Sequence, residues 1–143
     1  MGDISKNFSY MEFVRSAQGE EAGIDNRIPS AAIANSSQEL TLTVLQPLRN
    51  YLGAPININS GYRCEDLNKL LGGAKTSQHR KGEAADIRSP FFSPYQIASI
   101  IVSLGLPFDQ LILYPTFVHI SHKLKGKQRG QILYNHRYNG EKI

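Results

Sequence analysis

A chain of 143 residues can bury one sizeable core but not two ordinary ones, and a hydrophobic share of 41% is that of a soluble protein. Its single cysteine, Cys64, excludes an intrachain disulfide framework, and its formal charge of +4 favours polyanionic surroundings without choosing among them. No charge block or low-complexity tract divides the sequence, so one domain over residues 1–143 is expected.

Residues 1–6 hold no basic region followed by an apolar core, so no secretory signal is visible and cytoplasmic synthesis is expected. Ser9 and Glu12 stand three apart, as in a capping box, and open a short helix containing Phe13. Residues 26–29 read as loop. Leu40, Val44, Leu45, Leu48 and Leu52 recur at helical spacing with Gly53 as the stop, and that stripe is assigned to the core. Residues 55–59 alternate as a strand, and 63–71 read as a helix ended by Gly72 and Gly73.

A short strand is predicted at 84–88, with Asp86 sharing a face with Ala84 and Arg88, while Ala85 and Ile87 point the other way. A helix follows at about 94–104. The longest apolar stretch, 97–108, is interrupted by Ser103, Gly105 and Pro107 and is too short to cross a bilayer, so no membrane insertion is expected. Strands at 110–113, 117–122 and 131–134 close the chain, with Pro115 in a tight turn between the first two. In the middle one Phe117, His119 and Ser121 share a face, and Val118, Ile120 and His122 share the other. Helices early and strands late describe an α+β domain, helices packed on a small, mostly antiparallel sheet.

The chemistry concentrates in Ser77-Gln78-His79-Arg80-Lys81-Gly82-Glu83-Ala84-Ala85-Asp86 and in His119, isolated within Val118-His119-Ile120-Ser121. Two neutral imidazoles and a carboxylate suit zinc and leave a fourth position for water or substrate. The same donors accept cobalt, nickel or manganese according to availability. Strand alternation turns His122 away from such a site, and His122 and His136 read as ordinary surface or core residues.

Ser77-Gln78-His79-x-x-Gly82-x-Ala84-x-Asp86, Ser60-Gly61-Tyr62-Arg63 upstream, and Phe108-Asp109-Gln110-Leu111-Ile112 followed by Val118-His119-Ile120-Ser121 occur in that order. The chain, from about residue 8 to 121, resembles the zinc D-Ala-D-Ala carboxypeptidase-like peptidases, peptidase M15, which include the peptidoglycan-cleaving endolysins of phages. The resemblance implies a fold of the Hedgehog and D,D-peptidase kind, with zinc held by His79, Asp86 and His119. It also implies that Arg63 and Ser77 line the substrate cleft, Arg63 by pairing with a carboxylate of a peptidoglycan stem peptide. The implied activity is amide hydrolysis in stem peptides, as a D,D-carboxypeptidase or an endopeptidase. A monomer is expected, acting at the bacterial wall after lysin-like release.

Amide hydrolysis needs a group that takes a proton from water and returns it to the leaving amine. Relatives of this type imply a glutamate shortly after the Asp-Gln-Leu-Ile run, where this sequence has Leu113-Tyr114-Pro115-Thr116. Tyr114 is then a candidate donor to the tetrahedral intermediate, and Asp109 and Glu83 are the candidate carboxylates. Without a base, the alternative is a zinc-containing module that binds wall peptide or a protein and does not cut. A purely structural metal is a further alternative and would need a fourth ligand, His122 being the nearest. Lys123, Lys125, Lys127, Arg129 and Arg137 form a basic run interleaved with Tyr134, His136 and Tyr138, which would permit base stacking. No nucleic-acid-binding motif accompanies it, so nucleic acid is not an expected partner.

Overall fold

In the computed structural model, which describes residues 2–143, helices pack on a five-stranded sheet. Helix α1 spans Tyr10–Val14 and is held at its start by Glu12, whose carboxylate accepts from Ser9 N–H at 2.8 Å. Its Phe13 is wholly buried. A second single-turn helix, α2 (Ala17–Glu21), was not expected; Ser16 caps it by accepting from Gly19 N–H at 3.1 Å.

The predicted leucine-rich helix is one continuous rod in three pieces. Helix α3 (Ala31–Leu40) runs into a wide π-helical turn, Thr41–Leu45, and on into α4 (Gln46–Leu52). Pro47 has no N–H to give the carbonyl one turn back, and the ladder loosens there. Gln46 N–H accordingly reaches Thr41 O, five residues back. The wide turn costs the stripe nothing, since Leu40, Val44, Leu45 and Leu48 are all fully buried. Gly53, at φ +60°, ends the rod in the left-handed region where glycine is at ease.

The strands are β1 (Asn57–Ser60), β2 (Ala84–Arg88), β3 (Gln110–Leu113), β4 (Val118–Ser121) and β5 (Gln131–Tyr134), in the spatial order β1-β2-β4-β3-β5. The first three pairings are antiparallel, as expected, but β5 runs parallel to β3. The reason is where the chain returns: Gly130 and Gln131 N–H bond the carbonyls of Phe108 and Asp109, so β5 starts beside the start of β3. Between β1 and β2 lies α5 (Glu65–Leu70), and Arg63 stands two residues ahead of it in loop, not inside a helix as the spacing predicted. Helix α6 (Pro94–Ser103) opens with Ser93 accepting from Gln96 N–H.

Pleating sorts the sheet residues onto two faces. Ala85, Ile87, Leu111, Leu113, Val118 and Ile120 are fully buried in the core with Phe8, Phe13 and the α6 residues Ile97, Ala98 and Ile101. Burial of each large apolar side chain contributes roughly 1.5–3 kcal/mol. The alternate residues form the other face, and register sets three of them in one row, since Asp86 pairs with His119 and His119 with Ile112. Among the described residues, no helix is long and apolar enough to cross a membrane.

Candidate metal centre

Asp86 and His119 project from adjacent antiparallel strands at directly paired positions, so their side chains meet. His119 Nδ1 lies 3.0 Å from Asp86 Oδ1, and His79 Nε2 lies 3.3 Å from the same oxygen. One donor atom from each of the three falls within 4.8 Å of the others, a spacing that could hold a metal ion. Two nitrogens and one carboxylate oxygen fit zinc, and three protein ligands leave a coordination position open.

His79 comes from a different kind of element, a one-turn 3-10 helix, Gln78–Lys81. Ser77 caps that turn, its hydroxyl accepting from His79 N–H at 3.2 Å, and Gly82 leaves it at φ +73°. A Cβ on Gly82 would also stand 2.8 Å from the Ile33 carbonyl, so glycine is required there by space as well as by dihedral. The imidazole is clasped by the loop after β1. Its Nδ1–H donates to Gly61 O at 2.7 Å, which turns Nε2 toward Asp86 and fixes the tautomer a metal ligand needs. Arg63 N–H closes the clasp on His79 O at 3.0 Å.

Gly61 can make this approach because it has no side chain: a Cβ would meet the Phe13 backbone at 2.7 Å. Asn26 ties the same loop down, its amide donating to Val14 O and Tyr62 O and its oxygen accepting from Cys64 N–H at 2.7 Å. Within its loop, sequence reading gave that asparagine no role.

The electrostatics match a ligand set. Burial lowers the His79 pKa, a pull that Asp86 only partly opposes, so the ring is neutral at pH 7. Burial pushes the Asp86 carboxyl up, but its close contacts with the His119 and His79 rings outweigh it and hold the group well below the usual carboxylate range. Arg63 supports the same carboxylate, Nη2 lying 3.4 Å from Asp86 Oδ2, while its Nε donates to Ser60 Oγ at 2.9 Å. A buried aspartate amid imidazoles and a guanidinium stays ionised.

The three residues lie in a cleft of about 490 Å³ whose lining includes Arg63, Ser77, Gln78, Gln110, Ile112, Tyr114 and Arg129. Gln110, Ile112 and Tyr114 stand at i, i+2 and i+4 along β3 and just beyond it, so alternation alone would have put them on the face that carries His119. Tyr114 stacks on Phe117 at 4.4 Å between ring centroids, and burial raises its phenol pKa, with Asp86 adding to the effect.

The two carboxylates considered at the sequence level lie elsewhere. Asp109 is fully buried and grips Arg129, with Oδ2 accepting from Nη2 at 2.6 Å and Oδ1 from the Arg129 backbone N–H at 2.8 Å. Glu83 borders a separate pocket with Ile33, Arg80 and Leu124, one oxygen accepting from Leu124 N–H and the other from the Gln78 amide. Among the described residues, Asp86 is the only carboxylate lining the metal cleft. His122 faces away from the cleft, where Nδ1–H donates to Pro107 O and Nε2 lies 3.9 Å from Glu39.

Fold and donor set together define a small α+β domain built around a His-Asp-His cluster that could hold a metal ion. The chain belongs to the peptidase M15 family, whose pattern matches residues 6–121. It is also similar to the zinc D-Ala-D-Ala carboxypeptidase of Streptomyces albus G, with 37% identity over 82 residues, 57% of this chain. The match covers 31% of the Streptomyces protein, so the chain spans well under half of that relative.

Proposed function

We propose that this protein is a zinc-dependent peptidase that hydrolyses amide bonds in peptidoglycan stem peptides. The carrying observation is the convergence of His79, Asp86 and His119 donor atoms within 4.8 Å in a cleft edged by Arg63. Membership of a peptidase family and similarity to a zinc D-Ala-D-Ala carboxypeptidase support the substrate class.

Zinc held by this set would supply a Lewis acid and would lower the pKa of a bound water toward about 7. The remaining work belongs to the side chains around it. Arg63 keeps donors free for a substrate carboxylate, since its fork has five and three are engaged, by Ser60, Asn68 and Asp86. A bound carboxylate there sets the scissile amide beside the ligand cluster. Tyr114 has a phenol that stays protonated, which suits it to donate a hydrogen bond to the oxyanion of the tetrahedral intermediate and not to serve as base. Ser77 acts by capping the turn that carries His79.

One observation favours a second reading, a zinc-containing module that binds wall peptide without cutting it: among the described residues, no carboxylate besides Asp86 lines the cleft. Asp109, engaged with Arg129, is not assigned as the base. Action at the wall as a lysin, and whether the protein cuts at a peptide terminus or within a cross-link, belong to the same proposal. Digestion of purified peptidoglycan by the zinc-loaded protein, followed by mass spectrometry and with a His119→Ala control, separates the readings. Fragments that require His119 establish the hydrolase and name the bond. One equivalent of bound zinc with no fragments at any pH leaves the binding module.

A further inference from the structure

A second guanidinium edges the metal cleft and has no part in holding the ligands. Arg129 lines the same cavity as Arg63 but belongs to the segment entering β5, at the opposite edge of the sheet from β1. Its side chain is 48% exposed, and it is held in a fixed pose by Asp109, which is wholly buried. Nε donates to both Asp109 oxygens, at 3.1 and 3.2 Å, and Nη2 donates to Oδ2 at 2.6 Å. Nη1 makes no hydrogen bond to the described residues.

The backbone is fastened too. Arg129 N–H bonds Asp109 Oδ1, Gly130 N–H bonds Phe108 O and Gln131 N–H bonds Asp109 O, so three successive residues are tied to the start of β3. Lys123 Nζ approaches the same carboxylate at 3.7 Å. Two cations share one anion, and this end of the cleft keeps a net positive charge. An arginine anchored along one edge of its fork presents the other edge for carboxylate recognition with little side-chain entropy left to lose.

We infer that Arg129, positioned by Asp109, is a specificity residue that recognises a second carboxylate on the substrate. This rests on the stem-peptide reading above and sharpens it: the preferred peptide carries one carboxylate for Arg63 and another on the far side of the scissile bond for Arg129. Arg63 Nη2 reaches Asp86 on β2, and Arg129 Nη2 reaches Asp109 just ahead of β3. With β4 between them those two strands lie roughly 10 Å apart, so a peptide of a few extended residues lying across the cleft can meet both guanidiniums. A stem peptide offers such a group as the free branch carboxyl of a γ-linked glutamate or as the second carboxyl of a diamino-diacid, and both present the same chemistry.

Four synthetic stem peptides decide the matter: one with both branch carboxyls amidated, two with one carboxyl restored, and one with both. The ratio of kcat/KM between acid and amide forms is read for the zinc-loaded wild type, Arg129→Gln and Arg129→Lys. The expectation is a preference of tenfold or more for one restored carboxyl, falling to within about twofold of unity in Arg129→Gln and partly kept in Arg129→Lys. Which peptide shows it tells the glutamate branch from the diamino-diacid. Equal handling of all four peptides by the wild type, or a preference that survives in Arg129→Gln, overturns the inference while hydrolysis stands. Should no peptide be cut, the hydrolase reading fails alone, and the same ratio is read from dissociation constants by calorimetry. Arg129 is half exposed, so its loss leaves the core intact, and a circular dichroism melt checks this.

Discussion

Two buried aspartates, Asp86 on β2 and Asp109 just ahead of β3, keep opposite company. Both carboxyls are pushed up by burial and pulled down further by their partners. Asp86 has imidazoles for partners, whose ring nitrogens can offer a lone pair to a metal, and all three open onto a cleft. Asp109 has a guanidinium and an ammonium, which offer only donors and close over it. A depressed carboxylate pKa therefore does not mark a catalytic group by itself. What separates a ligand from an anchor is whether the partner can share a metal.

The largest effect should come from breaking the first member of this pair. Replacing His119 or Asp86 by alanine removes one of three donors, and zinc affinity should drop by at least about 100-fold in calorimetry, since even outer partners of metal ligands contribute 10–100-fold. Asp109→Asn should do the reverse. It should leave one equivalent of zinc bound while costing about 2 kcal/mol in urea unfolding, below the usual penalty for breaking a buried pair because Arg129 stays half in water. Weakened zinc binding in Asp109→Asn would merge the two roles and undo the comparison.

Gly61→Ala sharpens the contrast from the side of the support. A methyl group 2.7 Å from the Phe13 backbone must push the Gly61 loop away, and the His79 Nδ1 bond goes with it. Zinc affinity should fall by about 10-fold, in the range seen for loss of an outer-shell partner. The smallest effect is a pH response. Asp109 titrates at about 2 in the folded protein against 3.8 for a free carboxyl. Its contribution to stability is thus complete above pH 4 and is lost as pH falls through 2. Acid unfolding of the Asp109→Asn variant should be shallower than that of the wild type between those limits.

Much of the centre was legible in the chain because the motif is local. Ser77, His79, Gly82 and Asp86 lie within ten residues, and a cap, a glycine exit and a strand can each be read from neighbours in sequence. Alternation also separated His119 from His122, since a period of two needs no tertiary knowledge. The wide helical turn ahead of Pro47 and the parallel pairing of β5 were less visible. The first is a consequence of one missing N–H inside a strongly apolar stripe, and the second depends on where a nine-residue return lands.

What the sequence by itself determined was the residue inventory of the His-Asp-His cluster, the α+β class and the stripe that fills the core, because each rests on spacing that survives any packing. What only the tertiary structure decided was the company each charged group keeps. Asp109 and Arg129 are 20 positions apart, and nothing in that interval says they meet. Gly61, Asn26 and His79 likewise come from three separate segments to fix one imidazole. Charges and hydrogen bonds act over a few ångströms in space and carry no period along the chain, so the partner that makes one aspartate a candidate ligand and the other an anchor is set by the fold.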